Sequence, residues 1–173
     1  VLIHGGAGGL GHIATQIASA AGAHVITTVG SPEQREFVEE IGADTILDFR
    51  RDDLAEAINS ATEFNPDIIV DHRPQDYLEM DIEVAGFGGR VIVLAGPGGT
   101  YENAPTARGK NIEIRHQGTM DPSKIGGIMA RLGRLIDDNE FRIEVNGSYD
   151  LNEATAAQQD LLETDIGKLV IKL

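Results

Sequence analysis

The chain has no cysteine. That excludes disulfides, thiolate zinc sites and a cysteine nucleophile from this segment, and a reducing cytoplasm suits it best. Lysine is nearly as scarce: Lys110, Lys124, Lys168 and Lys172 stand against ten arginines, and the formal net charge is −14. So acidic a surface repels nucleic acid and anionic membranes, and neither is expected as a partner. The same acid-rich, lysine-poor balance fits a salt-adapted source as well as an ordinary acidic protein. Long apolar runs are missing too, none approaching the roughly 18 residues of a membrane span. Val1–Ile3 reads as a strand, without the basic start or small-residue cleavage site of a secretory leader. Histidines are scattered. His4, His12, His24 and His116 share no metal-ligand spacing and there is no H-E-x-x-H, so no metal is expected. Asp52–Asp53 and Asp137–Asp138 read as a helix cap and a solvated helix end rather than acid/base pairs.

What the chain does have is glycine in a telling place. Val1–Leu2–Ile3–His4 is a short apolar strand, Gly5–Gly6–Ala7–Gly8–Gly9–Leu10–Gly11 a turn, and Ile13–Ala21 a helix leading to a second strand, His24–Thr28. Gly6-x-Gly8-x-x-Gly11 fits the dinucleotide fingerprint. One glycine makes the tight turn, one lets a pyrophosphate approach the backbone, and one lets helix pack on strand. The helix N-terminus then offers N–H groups and positive dipole to phosphate. Gly6, Ala7, Gly8, Gly9, Leu10 and Gly11 are therefore candidate cofactor contacts.

The alternation continues. Ser31–Pro32–Glu33–Gln34 combines an N-cap serine, proline at the first helical position and a capping-box glutamine; that helix stops at Gly42. Thr45–Phe49 reads as a third strand, Asp53–Phe64 as helix, Asp67–Asp71 as an apolar fourth strand, Tyr77–Ala85 as helix and Arg90–Ala95 as a fifth strand. Asn111–Arg115 is a sixth strand. Asp121–Pro122 opens a helix to about Asp137, Arg142–Val145 is extended, Asp150-x-x-Glu153 opens a last helix through Leu162, and Lys168–Leu173 closes as a strand. The pattern predicts one α/β domain over residues 1–173, a doubly wound parallel sheet (Rossmann) with a six-stranded core of order 3-2-1-4-5-6. Gly96–Gly109 reads as a long loop beyond strand five, where open α/β sheets place ligands.

Strand two ends Thr28–Val29–Gly30–Ser31 with no acid before Glu33. A carboxylate there would bind a ribose 2′-hydroxyl and repel a 2′-phosphate, so its absence favours NADP(H) over NAD(H). Thr28 and Gly30 border that position. Ser31 can donate a hydrogen bond and Arg35 a charge-assisted one, although Ser31 also serves as an N-cap and Arg35 also reads as a solvated arginine. Phe49 is placed to pack on an adenine or in the core. Asp71 and His72 end strand four beside the switch point. Gln117 and Gly118, past strand six, are weaker candidates.

Several segments together resemble the medium-chain dehydrogenase/reductase family in its zinc-independent, quinone-oxidoreductase-like branch. They are Val1–Gly11, Gly30–Ser31–Pro32–Glu33, Gly42–Ala43–Asp44, Asp67–Asp71, Gly88–Gly89–Arg90–Val91–Ile92–Val93 and Gly167–Lys168–Leu169–Val170–Ile171. The resemblance runs end to end. It implies that Ala95 and Gly96 make backbone contacts on the nicotinamide side. It also implies an amino-terminal chaperonin-10-like catalytic domain that these residues do not include. His72–Arg73–Pro74–Gln75 departs from the family's Pro-Val-Gly-Gly-like turn. The implied activity is hydride transfer from NADPH to a quinone or activated enone or enoyl substrate, with little turnover by this segment alone and no catalytic residue assigned. Three readings stay open: an enoyl-reductase domain of a polyketide or fatty-acid synthase, the cofactor domain of a zinc-type alcohol dehydrogenase, and a non-catalytic nucleotide-binding module. A short-chain dehydrogenase is excluded, because Tyr77, Tyr101 and Tyr149 are followed four residues on by Asp81, Pro105 and Glu153 rather than lysine. Ile112 and Ile114 suit a homodimer contact through strand six.

Overall fold

The computed structural model describes residues 1–118, 122–137, 141–162 and 166–173. Its centre is a six-stranded parallel sheet of order β3-β2-β1-β4-β5-β6, as the alternation predicts. The strands are β1 (Leu2–Ile3), β2 (Ile26–Val29), β3 (Thr45–Asp48), β4 (Ile68–Asp71), β5 (Arg90–Val93) and β6 (Glu113–His116). Between them run α1 (Gly11–Ala20), α2 (Pro32–Glu40), α3 (Leu54–Ser60), α4 (Pro74–Val84) and α5 (Ala104–Gly109). Then follow α6 (Pro122–Asp137), β7 (Val145–Asp150), a 3-10 turn (Leu151–Glu153), α7 (Ala154–Asp160) and β8 (Lys168–Lys172), with β7 and β8 forming a parallel pair of their own.

Only two residues long, β1 is nonetheless central, with Leu2 opposite Ile26 on one side and Ile69 on the other. Helices cover both faces, so these positions must be apolar, and Leu2, Ile26, Ile69 and Val91 pack with Ile58, Ile82 and Val84 from α3 and α4. A second cluster joins Ala7 and Val29 to Val38, Ile41 and Ala43. The chain leaves β1 toward β2 on one side and reaches β4 on the other, which opens a switch-point crevice at the strands' carboxyl ends.

Several boundaries differ from the sequence reading. Asn111 adopts φ 54°, so β6 starts at Glu113 rather than Asn111. The presumed loop Gly96–Gly109 contains α5, opened by Pro105 in its first turn. Likewise Pro74 starts α4 three residues before Tyr77. The extended segment expected at Arg142–Val145 is instead the lead-in to β7, whose residues are mostly exposed and carry no apolar alternation. The Asp150/Glu153 capping box forms, but it closes the 3-10 turn that precedes α7. Asp121 and Asp138, given capping and surface roles above, lie outside the described residues. No helix among the described residues is long and apolar enough to cross a membrane.

Candidate dinucleotide site

The turn after β1 is pinned by backbone geometry. Gly5 sits at φ 66° and its N–H donates to Thr28 Oγ1 at 3.0 Å, while the Gly6 N–H donates to the Thr28 carbonyl at 3.1 Å. The Gly8 N–H closes the turn on the Gly5 carbonyl at 3.1 Å. A Cβ on Gly6 would lie 1.9 Å from Thr27 Oγ1, and one on Gly11 only 2.1 Å from the Gly5 carbonyl oxygen. Both positions are fixed by the protein's own packing. Gly8 is different: its nearest neighbour would be Gly5 O at 3.4 Å, an ordinary contact, and its φ is not positive. Nothing within the chain demands glycine there, whereas a ligand lying on the backbone would. No N-cap side chain bonds the start of α1, whose dipole faces the same turn, while the His12 N–H donates to the Gly8 carbonyl at 3.0 Å.

Two clefts flank this turn. One, of about 160 Å³, is lined by Ile3, His4, Gly8, Leu10, Val70 and Leu94; it also touches Gly5, Gly9, Gly11 and His72. The other, of about 240 Å³, is lined by Ala7, Thr28, Val29, Gln34, Phe49 and Tyr77, with Gly5, Gly8, His72 and Arg73. Gly5, Gly8 and His72 belong to both, so they form the saddle between them. Two clefts meeting at such a saddle have the shape that an extended ligand with an anionic middle would need. Thus Ala7, Gly8, Gly9, Leu10, Gly11, Thr28, Phe49 and His72 are brought together.

The other candidates fall outside the clefts. Gly6 is consumed by packing on Thr27. Gly30 lies under the Phe49 ring, where a Cβ would come within 2.7 Å of Cε1. Ser31 accepts from the Gln34 N–H at 3.2 Å as an N-cap, and its hydroxyl also helps lower the Glu33 carboxyl. Arg35 is exposed on α2. Asp71 turns inward, fully buried, with Oδ1 accepting from the Arg73 N–H at 2.7 Å. Burial pushes its carboxyl up to about 6; the Arg73 bond opposes that shift and Asp81 adds to it. Leu94 reaches the first cleft where Ala95 and Gly96 were expected; Ala95 is exposed and Gly96 (φ 90°) packs beside Pro74. Gln117 serves the sheet, its N–H donating to the Val93 carbonyl at 2.9 Å.

Residues outside the glycine fingerprint also border the turn. The His4 Nε2–H donates to Asp81 Oδ1 at 2.8 Å with both side chains buried, and Tyr77 stacks on the His4 ring at 4.2 Å. Burial lowers the His72 imidazole, so the saddle offers a neutral ring, and burial raises the Tyr77 phenol, which stays protonated. Gln34 reaches back to the Gly30 N–H at 2.6 Å, one residue earlier than a standard capping box. Gly167 donates to the Ala7 carbonyl at 2.9 Å, which brings Lys168 Nζ to 3.5 Å from the Cβ position of Gly9. That cation arrives from the far end of the chain, and no local pattern announces it.

Residues 9–132 match the family model described as zinc-binding dehydrogenase. Over its full length the chain is 28% identical to quinone oxidoreductase of Rattus norvegicus, covering 54% of that protein. It is also 28% identical to a mycocerosic acid synthase-like polyketide synthase of Mycolicibacterium smegmatis, covering 9% of it. Escherichia coli quinone oxidoreductase complexed with NADPH superposes with a TM-score of 0.86 at 24% identity, over 99% of this chain and 56% of that one. The chain therefore spans about half the length of the quinone oxidoreductases it matches.

Proposed function

Because the chain belongs to the zinc-binding dehydrogenase family within the medium-chain dehydrogenases/reductases, we propose that it is the NADP(H)-binding half of an oxidoreductase. The substrate in this reading is a quinone or an activated enone or enoyl compound. The observation that carries it is the pair of clefts joined across Gly8, the one fingerprint glycine that internal packing leaves open. When bound, the nicotinamide supplies hydride. The chain's own work is placement. The Gly8–Gly11 backbone and the start of α1 hold the diphosphate, with Lys168 beside Gly9 as a further cation. Phe49 and Gln34 border the adenosine end. Leu94, Val70 and Leu10 keep the other cleft apolar, so a nicotinamide face lies against hydrocarbon and water is excluded.

Among the described residues no three His, Asp or Glu side chains converge on a metal position, and no step is routed through one. By the family resemblance, the substrate would sit in the cleft between this half and a chaperonin-10-like domain. A second reading, an enoyl-reductase domain, is favoured by the polyketide synthase relative. It shares the hydride chemistry and differs in having a carrier-bound acyl substrate.

Calorimetric titration with NADPH and NADH tests the cofactor assignment. Micromolar NADPH binding with much weaker NADH binding is expected. Equal affinities would remove the NADP preference, and absence of binding to both would favour a structural glycine turn.

A further inference from the structure

The corner that separates a phosphorylated from an unphosphorylated ribose lies at the carboxyl end of β2, and it is not free of carboxylates. Asp48 is the residue paired directly with Val29 across β2 and β3, and one Arg50 nitrogen bridges its carboxylate to the Gly30 carbonyl. An acid so near that corner repels a phosphate. Here it is occupied. Arg50 grips Asp48 with a two-pronged fork, Nε to Oδ1 at 3.0 Å and Nη2 to Oδ2 at 2.8 Å, and Nη2 also donates to the Gly30 carbonyl. The grip holds the Asp48 carboxyl down to about 2, so it stays ionised and paired with the guanidinium at any ordinary pH.

Three further features single out Arg50. Its guanidinium lies 5.6 Å from the centroid of the Phe49 ring, which itself covers Gly30, so the cation is fastened to the wall of the adenosine cleft. The side chain is 60% exposed, and three of its five N–H bonds are used, leaving the two on Nη1 without a partner among the described residues. Ser31, by contrast, is engaged with Gln34 and Glu33. The corner holds two acids, Glu33 and Asp48, and two arginines, Arg35 and Arg50. Without Arg50 its net charge is negative.

We propose that Arg50, anchored by Asp48 and the Gly30 carbonyl, is the specificity-determining residue that makes this corner prefer a 2′-phosphorylated adenosine ribose. It does so twice over. It cancels the carboxylate that would repel the phosphate, and it presents unused N–H donors to a group carrying nearly two negative charges. The inference rests on the NADP(H) reading above.

The experiment is calorimetry on the chain with 2′-phospho-ADP-ribose and with ADP-ribose, neither of which carries a nicotinamide. The unsubstituted chain is expected to prefer the phosphorylated ligand at least tenfold. Arg50→Gln should lose at least tenfold for that ligand while ADP-ribose affinity changes less than threefold. Asp48→Asn, which frees the guanidinium without removing it, should keep the preference. If Arg50→Gln retains the preference, or weakens both ligands alike, Arg50 is a bystander or a scaffold and the proposal falls while the NADP(H) reading stands. Loss of the preference in Asp48→Asn also overturns it. If the unsubstituted chain shows no preference, the NADP(H) reading itself falls and takes the proposal with it.

Discussion

The glycines after β1 look alike in sequence and carry different duties. Gly6 and Gly11 are demanded by atoms of the protein, at 1.9 Å and 2.1 Å from a hypothetical Cβ, and Gly8 is not. Gly6→Ala and Gly11→Ala should each destabilise the fold by about 3 kcal/mol, as overpacking against buried groups does. Gly8→Ala should change stability by less than about 1 kcal/mol and weaken dinucleotide binding at least tenfold. Chemical denaturation and calorimetry on the three variants separate the roles; equal stability losses at all three would deny Gly8 its ligand. A second residue-scale effect concerns Asp71. Its carboxyl titrates near 6 in the folded chain against 3.8 unfolded. Well below pH 3.8 both states hold the proton. As pH rises toward 6 and beyond, the folded chain must ionise a buried group, and that stability is lost. Asp71→Asn cannot ionise and still accepts from the Arg73 N–H. Its stability relative to the unsubstituted chain should therefore rise by up to about 3 kcal/mol between pH 4 and pH 8. A difference that stays flat with pH would show that Asp71 carries no such burden.

Among the elements, α1 does more than present an N-terminus. His12 Nδ1–H donates to the Gly8 carbonyl at 2.9 Å, and its Nε2 accepts from the Glu144 N–H at 3.3 Å. One turn on, the buried Gln16 accepts from the Arg142 N–H at 2.8 Å and donates to the Arg142 carbonyl at 2.9 Å. These bonds moor the segment before β7 to the helix that follows the glycine turn, and the Gly167 and Lys168 N–H groups donate to the Ala7 and Glu144 carbonyls respectively. Gln16→Leu strands both Arg142 backbone groups and should cost about 1–3 kcal/mol. Amide exchange at residues 141–145 and 167–168 should quicken while the β1–β4 core stays protected; unchanged exchange there would deny the mooring. The doubly wound order and the glycine turn were legible because their signals are local: apolar strands, Ser31–Pro32 at a helix start, a fixed glycine spacing. Arg50, Leu94 and Lys168 were not, because each reaches the site through strand pairing or a contact distant in sequence. Asp48 shows the same limit. Reading along β2 finds no acid, yet the register places one on the neighbouring strand. The polar strand β7 escaped because an exposed pair of strands needs no hydrophobic alternation.

For the whole molecule the governing quantity is the net charge of −14. Repulsion among so many carboxylates opposes compaction, and at 10 mM salt the screening length of about 30 Å spans the domain. Thermal unfolding should therefore shift upward by several degrees between 10 mM and 1 M KCl. Cofactor binding adds a sharper test, since the proposed ligand is anionic and the molecule acidic, while Arg73 lines one cleft, Arg50 lies against Phe49 and Lys168 stands beside Gly9. At 10 mM salt the ligand feels the field of the entire chain. At 150 mM, with a screening length near 8 Å, it feels mainly those three side chains. Dinucleotide affinity should rise between these two conditions and then decline toward 1 M, as the local contacts are screened in turn. Affinity that falls steadily from the lowest salt would mean that the local cations outweigh the global charge at every distance, and the acidic surface would then have no bearing on cofactor capture.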